Sequence, residues 1–227
     1  MIDSIPRQFM AWSKRRPHGT AYAVRQDGEW KKTTWAEYVG DVRLAARGFI
    51  SLGLKEGECV GIMGFNRPQW TMSDLAAMSA HAVPVGVYSS CSAKQTNYIL
   101  GHSEARIAVV ESGKILDRVL SVRGDLPALE HIVVMDSDDA PSGTISWSEL
   151  LALGAEVDDA VLEARLDAIK SEDLGTLIYT SGTTGPPKGS MLSHGNLAVA
   201  TRMGRELLPD VITEDTRLLS YLPMAHA

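Results

Sequence analysis

Cysteine is scarce: only Cys59 and Cys91 occur in 227 residues, in different expected elements and without metal-type spacing. That argues against a disulfide framework or a cysteine-based zinc site and leaves two reduced, buried or semi-buried thiols. A basic excess is missing too. The formal net charge of −6 argues against non-specific nucleic-acid binding, although a local basic site can still meet a small acidic ligand. No apolar run approaches the roughly 18 residues that span a bilayer. The first residues, Met1 to Pro6, show no basic segment followed by an apolar core, as a secretory signal would. Together these absences read as a cytosolic protein and leave peripheral membrane contact open. There is no internal sequence repeat and no low-complexity tract. What remains is ordinary: 44% apolar and 22% charged residues, in a chain long enough for one large or two small domains with a real core.

Strand and helix patterns alternate along the chain. Residues Ile2 to Arg16 read as a short amphipathic helix that ends in the basic cluster Lys14-Arg15-Arg16. A solvated helix end is the default for that cluster, with a lipid-headgroup or CoA-phosphate contact as the minority reading. Asp27-Gly28 between Ala21–Val24 and Glu29–Lys32 is a hairpin signal. Thr34 and Glu37 form a capping box before a helix with Val39, Val42, Ala46, Phe49 and Ile50 on one face, stopped by Gly53. Glu58–Phe65, Val83–Tyr88, Arg106–Val110 and His131–Met135 read as strands, with helices over about Gln69–His81, Ser92–Gly101 and Lys114–Arg123 between them. The polar stretch Asp136–Thr144 is a loop. Helices follow after Ser146 and from Asp158 to Lys170, then another capped by Ser193 with Leu197, Ala200, Thr201, Gly204 and Leu208 on one side. Arg217–Leu222 is expected as the last strand. Continuously apolar strands alternating with helices predict an α/β fold whose mostly parallel sheet is covered on both faces.

The richest stretch lies between Leu174 and Asn196. The apolar run Leu177-Ile178-Tyr179 delivers the chain into Thr180, Ser181, Gly182, Thr183, Thr184 and Gly185, followed by Pro186, Pro187 and Lys188. Glycines let backbone N–H groups approach an anion, hydroxyls donate further hydrogen bonds, and the lysine adds a point charge. Each hydrogen bond to a charged group is worth roughly 1.5–3 kcal/mol, so three or four can hold a polyphosphate. A Walker A loop does not fit. Pro187 stands where that loop needs its second glycine, Gly189 follows Lys188 where Ser or Thr is required, and two prolines oppose a helix start. The alternative is a flexible Gly/Ser/Thr linker, against which the strand-like entry, the lysine and the stiff exit argue.

Thr180-Ser-Gly-Thr-Thr-Gly-Pro-Pro-Lys-Gly189, followed by Met191-Leu-Ser-His194, resembles the signature of the adenylate-forming (AMP-binding) superfamily. The resemblance extends over nearly the whole chain, through Thr34-Trp-Ala-Glu-Tyr38, Cys59-Val-Gly-Ile-Met63 and Asn66-Arg-Pro68. Val83 to Ser90 and Tyr221-Leu-Pro-Met-Ala-His226 look like the long-chain acyl-CoA synthetase branch. Two positions depart from the pattern: Ser190 replaces an aliphatic residue, and His81 a small residue, often glycine. Both read as surface or packing variations.

The resemblance implies a two-step reaction, in which ATP and a fatty acid give an acyl-adenylate and pyrophosphate, and CoA then displaces AMP. It implies that Thr180, Ser181, Gly182, Thr183, Thr184, Gly185 and Lys188 grip the triphosphate, with Mg²⁺ on the phosphates and Thr184 as its hydroxyl. Lys188 and His226 are the implied catalytic residues, His226 near the carboxylate. The other histidines, His18, His81, His102, His131 and His194, show no ligand spacing and read as structural. The chain is expected to be the N-terminal part of an AMP-binding domain, with approximate subregions 1–170 and 171–227. On this resemblance the chain is expected to lack the adenine-binding motif, the ribose aspartate, the hinge and the C-terminal domain with its lysine. Two alternatives stay open: a non-catalytic fragment that at most binds phosphate or a partner polypeptide, and an adenylating enzyme for another carboxylate.

Overall fold

Two-residue alternation decides which face each short strand presents, and here both faces are apolar. The computed structural model describes residues 4–136, 140–180 and 186–226. In β3 (Cys59–Met63), Val60 and Ile62 point to one side and Cys59 and Met63 to the other. β5 (Ile107–Val110) repeats this, with Ile107 and Val109 against Ala108 and Val110, and β6 (His131–Val134) does so with Val133 against Ile132 and Val134. A strand apolar on both faces must be covered on both, which is the arrangement of a parallel sheet between helix layers.

Among the described residues that sheet has seven strands, in the order β7-β6-β5-β3-β4-β8-β9. The remaining members are β4 (Val83–Gly86), β7 (Ile145–Ser146), β8 (Leu174–Thr180) and β9 (Lys188–Ser193). All neighbours run parallel except β8 and β9, which are antiparallel. One face is covered by α2 (Trp35–Ser51), α3 (Pro68–Ser79), α6 (Trp147–Ala155) and α7 (Asp159–Ala168), with α1 (Ile5–Arg15) beyond them. The other is covered by α4 (Ala93–His102) and α5 (Lys114–Val122). The expected α/β architecture is therefore present. Helices α2 and α6 cross so closely that a Cβ on Gly154 would stand 1.9 Å from the Leu44 carbonyl oxygen.

Local signals act as their chemistry requires. β1 (Thr20–Gln26) and β2 (Glu29–Thr34) form a separate antiparallel hairpin, with Asp27 at φ 52° and Gly28 at φ 85° in its turn. Capping boxes open α2 at Thr34, α4 at Ser92, α6 at Ser146 and α8 (His194–Leu207) at Ser193.

Two expectations fail, and one strand is unexpected. Residues 217–222 form no strand: the segment is irregular, and Leu218 is 90% and Leu219 75% exposed. Apolar composition favours a strand only where a neighbour offers a ladder, and no described strand lies beside it. On α8 the buried residues are His194 and Ala198, while Ala200, Thr201 and Leu208 of the predicted stripe face solvent. The unexpected strand is β9, formed where Lys188–Ser193 pairs with β8, and the helix capped by Ser193 follows it as expected.

Candidate functional site

Thr180, the last residue of β8, and Lys188, the first of β9, are cross-strand partners. The antiparallel ladder thus returns the lysine to the point where the hydroxyl-rich stretch leaves the sheet. Both residues are exposed, and the Lys188 ammonium has no ion pair or hydrogen bond among the described residues. An ammonium without a carboxylate partner is suited to an anion. Ser181, Gly182, Thr183, Thr184 and Gly185 lie outside the described residues.

Tyr179 fastens the end of β8. Its ring is buried, and its hydroxyl lies 2.7 Å from Nδ1 of His102 at the end of α4. Burial pushes the Tyr179 hydroxyl up to about 12, so it stays protonated at neutral pH. Gly189 is its cross-strand partner, and a Cβ there would come 3.2 Å from the ring. Glycine leaves that space for the tyrosine.

The opposite end of the hairpin is held by His81. Its Nε2 lies 2.8 Å from Oδ2 of Asp173, the residue before β8, and the same oxygen accepts from the Lys170 amide at 2.7 Å. These bonds outweigh the burial of Asp173 and hold its carboxyl below the ordinary range. His81 is therefore not a mere surface or packing variation. It sits at φ 58°, a left-handed conformation that costs a β-carbon residue energy and favours glycine, and the carboxylate bond offsets that cost. His194, which opens α8 beyond the same corner, is fully buried with neither ring nitrogen hydrogen-bonded among the described residues, and burial lowers its pKa.

Strands β3, β4 and β8 are parallel, so their carboxyl ends lie at the edge from which Thr180 departs. The connections leaving β3 and β5 run to opposite sides, which is where α/β sheets usually open a ligand crevice. Here an ion pair joins the two strand ends: Arg67 Nη1 meets Glu111 Oε1 at 2.5 Å, the carboxylate almost buried. Beside it, over the ends of β3 and β4, lies a cleft of about 330 Å³ between the turn 64–66, Ser89 and the segment 220–225. The 3-10 turn Met224–His226 forms one of its borders. The side chain of His226 lies outside what is described, so its direction is not part of this geometry.

The remaining candidates take structural roles. Both cysteines are free and buried, and burial raises both thiols, Cys59 to about 11. Arg15 pairs with Glu214, and Arg16 with Asp215 and the Glu214 carbonyl, so two of the three basic residues ending α1 are occupied by the segment after α8. Among the described residues no group of three or more His, Cys, Asp or Glu side chains could hold a metal. None of the described helices is long and apolar enough to cross a membrane.

A family model described as AMP-binding enzyme matches residues 9–227. The chain belongs to the AMP-binding enzyme family. It is 37% identical over 224 residues to the long-chain-fatty-acid–CoA ligase FadD15 of Mycobacterium tuberculosis, covering 99% of this chain and 37% of that protein. It is also 37% identical over 210 residues to the long-chain-fatty-acid–CoA ligase ACSBG2 of Xenopus laevis, covering 91% and 28%. The chain thus spans about a third of the length of these relatives. Among solved structures it superposes on the long-chain-fatty-acid–CoA ligase FadD1 of Archaeoglobus fulgidus with a TM-score of 0.80 at 21% identity, covering 100% of this chain and 43% of that one. The anthranilate CoA ligase AuaEII in complex with anthranoyl-AMP gives a TM-score of 0.72 at 26% identity, covering 85% and 35%.

Of the residues that sequence singled out in this AMP-binding chain, the fold unites Thr180 and Lys188 at one point. It puts the Met224–His226 turn at the same edge of the sheet, above β4. Sequence reading missed Tyr179–His102, His81–Asp173 and Arg67–Glu111. Only the last left a signal, a carboxylate directly after the apolar run Ile107–Val110.

Proposed function

We propose that this chain carries the phosphate-gripping part of a long-chain fatty acid–CoA ligase, which activates a fatty acid with ATP and passes the acyl group to CoA. The observation that carries this reading is the pairing of Thr180 with Lys188 across an antiparallel ladder, the ammonium having no carboxylate partner among the described residues, in a chain of the AMP-binding family. In the first step a fatty-acid carboxylate oxygen attacks the α-phosphorus of ATP, and pyrophosphate leaves. Two anions must meet, so the site has to hold the triphosphate in place and stabilise the departing charge. Lys188 supplies a fixed positive charge at the root of the loop, and Thr180 a hydroxyl opposite it. Ser181, Gly182, Thr183, Thr184 and Gly185 are assigned the remaining contacts through backbone N–H groups and hydroxyls. Mg²⁺ bound to the phosphates would neutralise further charge, with Thr184 assigned as its hydroxyl. His226 is assigned to the carboxylate end of the cleft, and peripheral contact with a membrane would suit the substrate class.

The test is exchange of labelled pyrophosphate into ATP by the full-length protein that carries this chain. Long-chain fatty acids should support exchange, and Lys188→Met should reduce it by 100-fold or more with folding unchanged. No exchange with any carboxylate overturns the reading. A second substrate class is favoured by one observation, the likeness to a ligase holding anthranoyl-AMP. Exchange driven by benzoate-type acids rather than by fatty acids would select it.

A further inference from the structure

The segment 217–226 has no strand of its own, yet it must arrive over β4 in a defined place for the cleft to have a second wall. Asn66 provides the tie. Its Nδ2 donates to the Leu222 carbonyl oxygen at 2.7 Å and approaches Ser220 Oγ at 3.4 Å. The bonded carbonyl immediately precedes Pro223, which has no N–H, so the chain there cannot be fixed by a regular ladder. Downstream, Ala225 is buried against Gly86 at the end of β4. A Cβ on Gly86 would lie 3.0 Å from the Ala225 Cα, so the two backbones touch only because Gly86 has no side chain.

Asn66 is itself held from behind. Its neighbour Arg67 is locked inward onto Glu111 and onto Gln69 Oε1 at 3.0 Å, and the Phe65 amide points at Glu111 Oε2 at 3.5 Å. The turn after β3 thus has a rigid inner half in the almost buried ion pair and an outer half that reaches across the cleft. A carboxamide on such a base is a strut of fixed length, because the base cannot shift to follow its partner.

We propose that Asn66 is a positioning residue, which sets the distance between the two walls of the cleft and thereby the place of the Met224–His226 turn. This role rests on the ligase reading, in which that turn borders the carboxylate. Asn66 is exposed, so its replacement removes the tie without opening the core.

The experiment uses the full-length protein with Asn66→Ala and with Asn66→Asp, which keeps the shape but removes the donor and brings a negative charge to a carbonyl oxygen. Two readouts are taken: hydrogen exchange of the peptide 218–226, and fatty-acid-dependent pyrophosphate exchange. Both variants should exchange the 218–226 amides several-fold faster, with the β3–β6 amides unchanged. They should lose roughly fivefold to tenfold in kcat with KM for ATP unchanged, since Asn66 touches the segment and not the nucleotide. Unaltered exchange of 218–226, or loosening without change in kcat, overturns the role of Asn66. If the wild-type protein has no pyrophosphate exchange, the ligase reading falls and the catalytic role falls with it. The hydrogen-exchange result still reports separately on the tie.

Discussion

The layered body up to α7 and the arm formed by β8, β9, α8 and the following segment use similar apolar residues to opposite effect. In β3 and β5 every residue is buried, and the helices on both faces interlock around them. In the arm, Met191, Leu207, Leu218 and Tyr221 are each more than two-thirds exposed. Composition is therefore not what separates core from surface here. Burial follows where a residue has a neighbour on its own side of the sheet, and the arm has fewer of them. Exposed apolar side chains at this density are typical of surfaces that meet a ligand or another stretch of polypeptide.

The comparison can be broken most sharply at the crossing of α2 and α6. Gly154→Ala places a methyl group against the Leu44 carbonyl oxygen, where only backbone could yield. A loss of about 3 kcal/mol or more is expected in urea unfolding. A loss below 1 kcal/mol would show that the body is as accommodating as the arm.

Acid and base should separate the two regions next. Asp74, on α3 in the body, is pushed up to about 7 from 3.8 by desolvation. Between those values the folded chain keeps a proton that the unfolded chain has released, so stability falls as pH rises across the window. Asp74→Asn should abolish that fall and gain on the order of 1–2 kcal/mol at pH 8. His194, in the arm, is shifted the other way from 6.5 by burial. Below 6.5 the unfolded chain takes up a proton that the folded chain resists, so stability falls with falling pH. His194→Leu should flatten that acid limb. Asp173, with its lowered carboxyl, contributes stability that is present above its ordinary 3.8 and is lost only as pH falls below it, which leaves this window largely clear. Unfolding midpoints from pH 4 to 8 for the parent and both variants test the pair, and identical profiles would remove the distinction.

Smaller effects are expected at the arm's periphery. Gly204, inside α8, has only Ile212 Cδ1 near its missing Cβ, at 3.8 Å. Gly204→Ala should therefore stabilise by about 0.5–1 kcal/mol, seen as slower amide exchange along α8. Leu219→Ser should move the unfolding midpoint by no more than about 0.5 kcal/mol, and a larger loss would place that side chain in a core.

Legibility in the sequence followed the range of the interaction. Hairpin, capping boxes and helix stops depend on residues two to four apart, and they were readable at Asp27-Gly28, Thr34, Ser92, Ser146 and Gly53. Strands apolar on both faces announced the parallel sheet. The antiparallel return of β9 was hidden because Lys188–Ser193 carries little β-branched character, and its pairing depends on β8 rather than on its own residues. Arg217–Leu222 misled in the reverse sense, having strand composition without a partner. At the site, Thr180 and Lys188 were legible by motif, whereas His81–Asp173 and Asn66–Leu222 join residues 92 and 156 positions apart and left no local trace.

Side chains alternate along β9, so the face on which Lys188 stands is a matter of parity. The Tyr179–Gly189 pair fixes that parity, since the ring fits only opposite a residue without a β-carbon. The register of β9, and with it the place of the lysine, is accordingly set by that pair. One residue gained or lost within Lys188–Ser193 would turn the ammonium to the wrong side of the sheet. The stretch that carries the lysine is therefore counted residue by residue.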